Sequence, residues 1–112
     1  MPQRMTETER LYRGTRAKEV LDNEEFAAAF GAIEQELTEA WKTSPQRDAE
    51  GRERLFLALT MLAKVKASLT QTMETGKLTL LEIQHQKSMA ELEHKRSLAK
   101  RASDAWSALT SE

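Results

Sequence analysis

The chain has 112 residues, 39% hydrophobic, 31% charged and only 5% aromatic, with no cysteine and a formal net charge of −1. That length allows one small domain with a modest core, and the missing cysteines exclude disulfides, thiolate metal sites and cysteine nucleophiles. No apolar run approaches the roughly 18 residues a membrane span needs, so no membrane partner is expected.

Two prolines, four glycines and the lack of β-branched runs favour long amphipathic helices over a mixed fold. The N-terminal MPQRMTETER lacks the apolar core of a signal peptide, which makes the cytosol, or a particle assembled there, the expected address. Charge is uneven along the chain. Residues 1–22 hold five basic and four acidic groups, residues 23–54 four and eight, and residues 55–112 eight and six. An acidic middle and a mildly basic end suit contacts between subunits. They fall short of the strong positive field of a dedicated nucleic-acid binder.

A first helix is predicted over 6–21, carrying Leu11, Ala17, Val20 and Leu21, with Gly14 weakening its middle. Its apolar face is too thin to stand alone. Asp22 is expected to open the second helix, because Asp22-x-x-Glu25 has the form of a capping box. Phe26, Phe30, Ile33, Leu37 and Trp41 then follow at steps of three or four, which makes one helical stripe. The stretch TSPQRD ends it, since a residue before proline avoids helical geometry.

The third helix is predicted from about Asp48 to Thr75, with Leu55, Leu59, Leu62, Val65, Leu69 and Met73 as its main stripe. Phe56, Met61 and Ala63 widen the apolar surface beyond what one partner helix covers. Gly76 then reads as a C-cap. Thr79-x-x-Glu82 reads as a new capping box with Leu78 and Ile83 as its staple, so a reversal is expected there. A fourth helix over 78–110 completes the chain. Its stripe is thin and near a 3.5 period: Leu78, Leu81, His85, Met89 or Ser88, Leu92, Ala99, Ala102, Trp106 and Leu109. The expected fold is therefore all-α and a single domain over 1–112. It consists of a short N-terminal helix, an antiparallel helical hairpin over 22–76 and a long C-terminal helical arm. The surplus apolar surface predicts a homo-oligomer, with Leu81, Met89, Leu92, Ala99, Ala102, Trp106 and Leu109 as candidate interface residues.

Three kinds of site come into question. Glu82-x-x-His85 and Glu91-x-x-His94 match the spacing of ferritin-like iron proteins, which draw such motifs from separate helices. Here both fall on one helix, nine residues apart and on opposite sides, so no metal or other cofactor is expected. Lys87, Lys95, Arg96 and Lys100 are expected broadly on one flank, with Arg101 beside them and a supporting Glu91–Lys95 pair. Two readings of that set stay open. It is a solvated face, or Lys95, Arg96, Lys100 and Arg101 make sequence-independent contacts with DNA phosphates. Catalysis lacks support: Gly14, Gly31, Gly51 and Gly76 are scattered singly, forming no phosphate loop, and no nucleophile has a nearby base.

The segment RDAEGRERLFLALTMLAKVKASLTQTMETGKL, residues 47–78, resembles a recurring pattern in short helical proteins of tailed bacteriophages, and the likeness extends back to RGTRAKEVLDNEEF, residues 13–26. Those proteins are encoded among head and DNA-packaging genes. The resemblance implies a non-enzymatic role, as a terminase small subunit that presents double-stranded DNA to the packaging motor or as a virion assembly protein. Other phage structural proteins would be its partners, and the host cytoplasm or the virion its location. Residues 1–21 offer room for one helix before the hairpin, so the N-terminal DNA-reading domain of terminase small subunits is not expected in this sequence and sequence-specific recognition is not implied. The alternatives are a ferritin-like iron-binding protein and a helical adaptor or regulator that binds one protein partner.

Overall fold

In a computed structural model the described residues, 4–111, form three α-helices: α1 (Glu7–Asp22), α2 (Glu24–Thr43) and α3 (Ala49–Thr110). No strand occurs among them. The chain separates into two compact units, residues 1–77 and residues 78–112.

In the first unit, local capping chemistry sets the helix ends. The Thr6 hydroxyl accepts the Glu9 amide at 3.1 Å and starts α1, whose first turn carries Glu7 and Glu9 at its positive end. The junction with α2 lies one residue later than the sequence predicts. Asp22 is the last residue of α1, and its carboxylate is taken by Lys18 at 2.5 Å. Asn23 serves both helices. Its amide donates to the Val20 carbonyl at 3.2 Å, and its side-chain oxygen accepts the Phe26 amide at 2.9 Å. Asparagine caps as well as aspartate, so a cap at 23 leaves Asp22 free to pair within α1.

Within α2, Phe30 is buried and its ring lies 5.8 Å from that of Phe26. The predicted stripe is only partly covered, because Ile33 and Trp41 remain exposed. The guanidinium of Arg52 sits 4.8 Å above the Trp41 ring, and the Lys66 ammonium 5.7 Å above that of Phe30. Arg52 Nη1 also donates to the Ser44 carbonyl at 3.2 Å and to the Ser44 hydroxyl at 2.9 Å. A cation thus closes the negative end of α2. Pro45 lies in a turn and does not start α3. That turn is closed by the Asp48 amide on the Pro45 carbonyl at 3.0 Å, and Asp48 Oδ1 in turn accepts the Gly51 amide at 3.0 Å.

The predicted stop at Gly76 does not occur. Gly76 lies inside α3, with no residue in the left-handed region among those described, and three helices replace the expected four. The cause is a contact distant in sequence. A Cβ on Gly14 would fall 2.8 Å from the Gly76 Cα, and one on Gly76 would fall 2.9 Å from the Gly14 Cα and 3.2 Å from the Arg10 carbonyl. The two glycines let the backbones of α1 and α3 touch, as only glycine permits. A helical glycine costs about 1 kcal/mol relative to alanine, and this close crossing offsets the cost. Gly14 is accordingly the seat of the contact that holds α1, where the sequence suggests only a weak point. Thr79, predicted to begin a new helix, is an interior residue of α3 and only 3% exposed.

The core of the first unit is thin. Among the described residues the buried hydrophobic side chains are Ala17 at 4% exposure and Phe30 at 9%. Leu55, Leu59, Leu62, Leu69 and Met73 are half-buried, while Phe56, Leu57, Met61 and Val65 stand exposed on α3. The second unit is a single helical segment, and beyond Ile83 every described residue in it is exposed.

Candidate functional site

The candidate interface residues Leu81, Met89, Leu92, Ala99, Ala102, Trp106 and Leu109 all lie on the helical segment after residue 77, and all are exposed. Trp106 shows 69% of its surface and Leu109 80%. At about 100° per residue, the 28 steps from Leu81 to Leu109 fall roughly 80° short of eight whole turns. The stripe therefore drifts across a straight helix, and a left-handed supercoil with a second helix would straighten it.

The basic residues behave differently. Lys95, Arg96, Lys100 and Arg101 are all exposed. On a continuous helix Lys95 lies about 100° from Arg96, about 140° from Lys100 and about 120° from Arg101 on the other side. Lys87 lies about 80° from Lys95, on the side away from Arg96. The set encircles the helix, which corrects the expectation of a single flank. Arg96 and Lys100 share one narrow face, with Glu93 beside it, and Lys87 and Arg101 share another. The expected Glu91–Lys95 support is missing as well. Among the described residues the ion pairs are Arg16–Glu19, Lys18–Asp22 and Lys77–Glu74, all before residue 78.

His85 and His94, nine residues apart on one helix, project to opposite sides and are exposed. Among the described residues no group of three or more histidine, aspartate or glutamate side chains is placed to hold a metal ion. No helix among them is long and apolar enough to cross a membrane.

The first unit carries several open grooves, among them these two. One, of about 280 Å³ between α1 and α3, is lined by Tyr12, Arg16, Ala17, Val20, Leu69 and Thr72 among others. In it the Arg16 guanidinium lies 5.0 Å over the Tyr12 ring and 2.9 Å from Glu19, and Tyr12 first, then Glu19, raise its pKa further above its ordinary value. The other, of about 490 Å³, is framed by Phe30, Glu34, Ala63, Lys66, Ala67 and Thr70. Neither brings together a nucleophile, a base and a polarising donor, the minimum set for group-transfer chemistry.

Two features of the structure go beyond the sequence reading. Arg52 joins the end of α2 to the start of α3, and its signal was one of several arginines near a helix start after a proline turn. The Gly14–Gly76 crossing had a fainter signal, two solitary glycines inside otherwise regular helical patterns. Comparison of the chain with protein-family models, with curated proteins and with solved structures found no match.

Proposed function

We propose that this chain is a non-enzymatic, self-associating helical protein of phage DNA packaging or head assembly. Its protomer is a hairpin of α2 and α3 with α1 docked at the glycine crossing, and the segment after residue 77 joins copies. The observation that carries the self-association is the exposure of Trp106 and Leu109 on an otherwise bare helix. Large aromatic and aliphatic side chains left in water on a regular stripe mark a protein interface. The phage role is supported by the resemblance of residues 47–78 and 13–26, and the host cytoplasm or the virion is the location that goes with it.

The first experiment is the mass of the purified chain by light scattering over a range of concentrations. A multimer supports the reading; a monomer at all concentrations overturns it and favours an adaptor with a single partner. Stoichiometric iron in the same sample would turn the assignment toward a ferritin-like protein. The DNA part has its own measurement. Double-stranded DNA bound at low salt should bind more weakly after charge reversal at Lys100 and Arg101. Because the basic side chains encircle the helix, the expected loss is that of one or two phosphate contacts, with a correspondingly shallow salt dependence. Unchanged binding removes DNA from the proposal.

A further inference from the structure

The segment after residue 77 holds two halves of unequal chemistry, and their complementarity points to its occupant. With Leu78 as the first seam position of a heptad pattern, the seam reads Leu78, Leu81, His85, Ser88, Leu92, Lys95, Ala99, Ala102, Trp106 and Leu109. Apart from the leucines near the start and the tryptophan and leucine near the end, the large apolar residue is Leu92, at the centre. The small and polar residues lie between. Lys95, one of the candidate DNA contacts, is itself a seam residue.

We infer that this segment pairs with the same segment of a second copy in antiparallel orientation with full overlap. This rests on the self-association proposed above and goes further, because it fixes direction and register. In that arrangement Leu78 meets Leu109 of the second copy, Leu81 meets Trp106, His85 meets Ala102, Ser88 meets Ala99, and Leu92 meets Lys95. Bulky residues from one end fill against bulky residues from the other, and the short side chains are opposed to histidine and serine. The facing volumes vary less along the seam than in a parallel pair, which would set Trp106 on Trp106 beside layers of alanine on alanine. Lys95 lies against Leu92 with its ammonium near Glu91 of the second copy, within reach of its flexible four-carbon stem. On the flanks Glu91 faces Leu98, and Arg96 faces Met89, so no like charges oppose one another.

A parallel pairing in register fails the same test. It sets Lys95 against Lys95, His85 against His85, and two alanine layers beside a Trp106–Trp106 layer. Its gain is a Glu91–Arg96 flank pair on each side. Exposed pairs of that kind contribute little, whereas like charges juxtaposed at an interface are strongly unfavourable. The seam therefore decides the orientation over the flanks. None of the charged side chains in this segment has an ion-pair partner within its own chain among the described residues, so all are free to serve the second copy.

The test uses the absence of native cysteine. Full-length Ser88→Cys and Ala99→Cys chains are oxidised singly and as an equimolar mixture, alongside sedimentation equilibrium of the unmodified chain. The expected result is efficient cross-linking in the mixture, all of it between the two variants, with little in either alone. Cross-linking of Ala99→Cys with itself shows a parallel pairing and overturns the inference. A multimer that cross-links in none of these samples also overturns it, while leaving the self-association intact. A monomer removes both. As a second variant, Lys95→Leu should tighten self-association roughly tenfold or more, since a polar side chain in the seam costs stability. Weaker or unchanged association would also count against a seam position for Lys95.

Discussion

The first unit, residues 1–77, and the second, residues 78–112, are built of the same material and stabilised in different ways. In the first, helix ends are closed by named side chains: Thr6 and Asn23 at the starts of α1 and α2, Arg52 and Ser44 at the end of α2. Its helices also meet at a backbone crossing that tolerates no side chain. In the second, regular helical periodicity continues for more than thirty residues, yet beyond Ile83 every described side chain is exposed. A helix gains most of its stability in a protein by packing an apolar face. The contrast is that one unit is stabilised from within the chain, while the other leaves its apolar stripe uncovered.

The sharpest way to break that contrast is to block the crossing. Gly76→Leu would force the α1 and α3 backbones apart, because the nearest atoms are main-chain atoms that cannot rotate away. We expect a loss of about 3 kcal/mol or more, combining the overpacking strain with the release of buried Ala17. Urea unfolding followed by far-ultraviolet circular dichroism would measure it. Trp106→Ala, a larger change in volume, should leave the same unfolding transition within about 0.5 kcal/mol at concentrations too low for association. Equal effects from the two variants would erase the distinction between the units.

Next in size is the clamp between α2 and α3. Arg52→Ala removes a charge-assisted contact with Ser44, a cation at a helix C-terminus and a cation–π contact with Trp41. The sum is about 1–2 kcal/mol, discounted because the site is only partly buried. Arg52→Lys should restore the charge term and lose the stacked fork. The Trp41 fluorescence, compared in a Trp106→Phe background, reports the lost contact directly.

How much of this was legible in the sequence depended on how local the cause was. The α2 stripe from Phe26 to Trp41 and the turn at Pro45 follow from periodicity and backbone chemistry, so helix positions came within a residue or two. The cap at 22 against 23 was a near tie between two good capping residues, settled by the Lys18–Asp22 pair. Gly76 was different. Every local signal there, a glycine followed by a threonine-to-glutamate capping box, argued for a stop, and a residue 62 positions earlier decided against it. The ring of basic residues, by contrast, needed no tertiary information. Counting 100° per residue was enough to separate Lys95 from Lys100.

The capping assignment gives a smaller measurable effect. Asn23→Ala should cost about 1 kcal/mol. Asp22→Asn should cost little near neutral pH, and its signature lies in alkali. Lys18 has its pKa raised above the ordinary 10.5, chiefly by the hydrogen bond to Asp22. A raised folded-state pKa contributes stability that is complete below the ordinary value and disappears as pH climbs through the folded one. The unmodified chain should therefore lose a little stability above about pH 10 that Asp22→Asn does not lose. Parallel curves for the two proteins across that window would show that the pair is idle in solution.

The smallest effect has the opposite sign and isolates what glycine does in this chain. Gly31 lies in the middle of α2, exposed, and a Cβ built on it meets nothing within 4 Å. Nothing there requires glycine, so Gly31→Ala should recover the helix-propensity difference and stabilise the first unit by about 0.5–1 kcal/mol. Gly14→Ala carries the same propensity gain but meets the Gly76 backbone at 2.8 Å, so it should destabilise. The two substitutions are chemically identical and differ only in what faces the new methyl group. If both stabilise, the close approach of α1 and α3 does not exist in solution, and the internal support that sets the first unit apart from the second goes with it. If Gly31→Ala alone stabilises, the crossing is the reason this chain keeps glycines inside its helices.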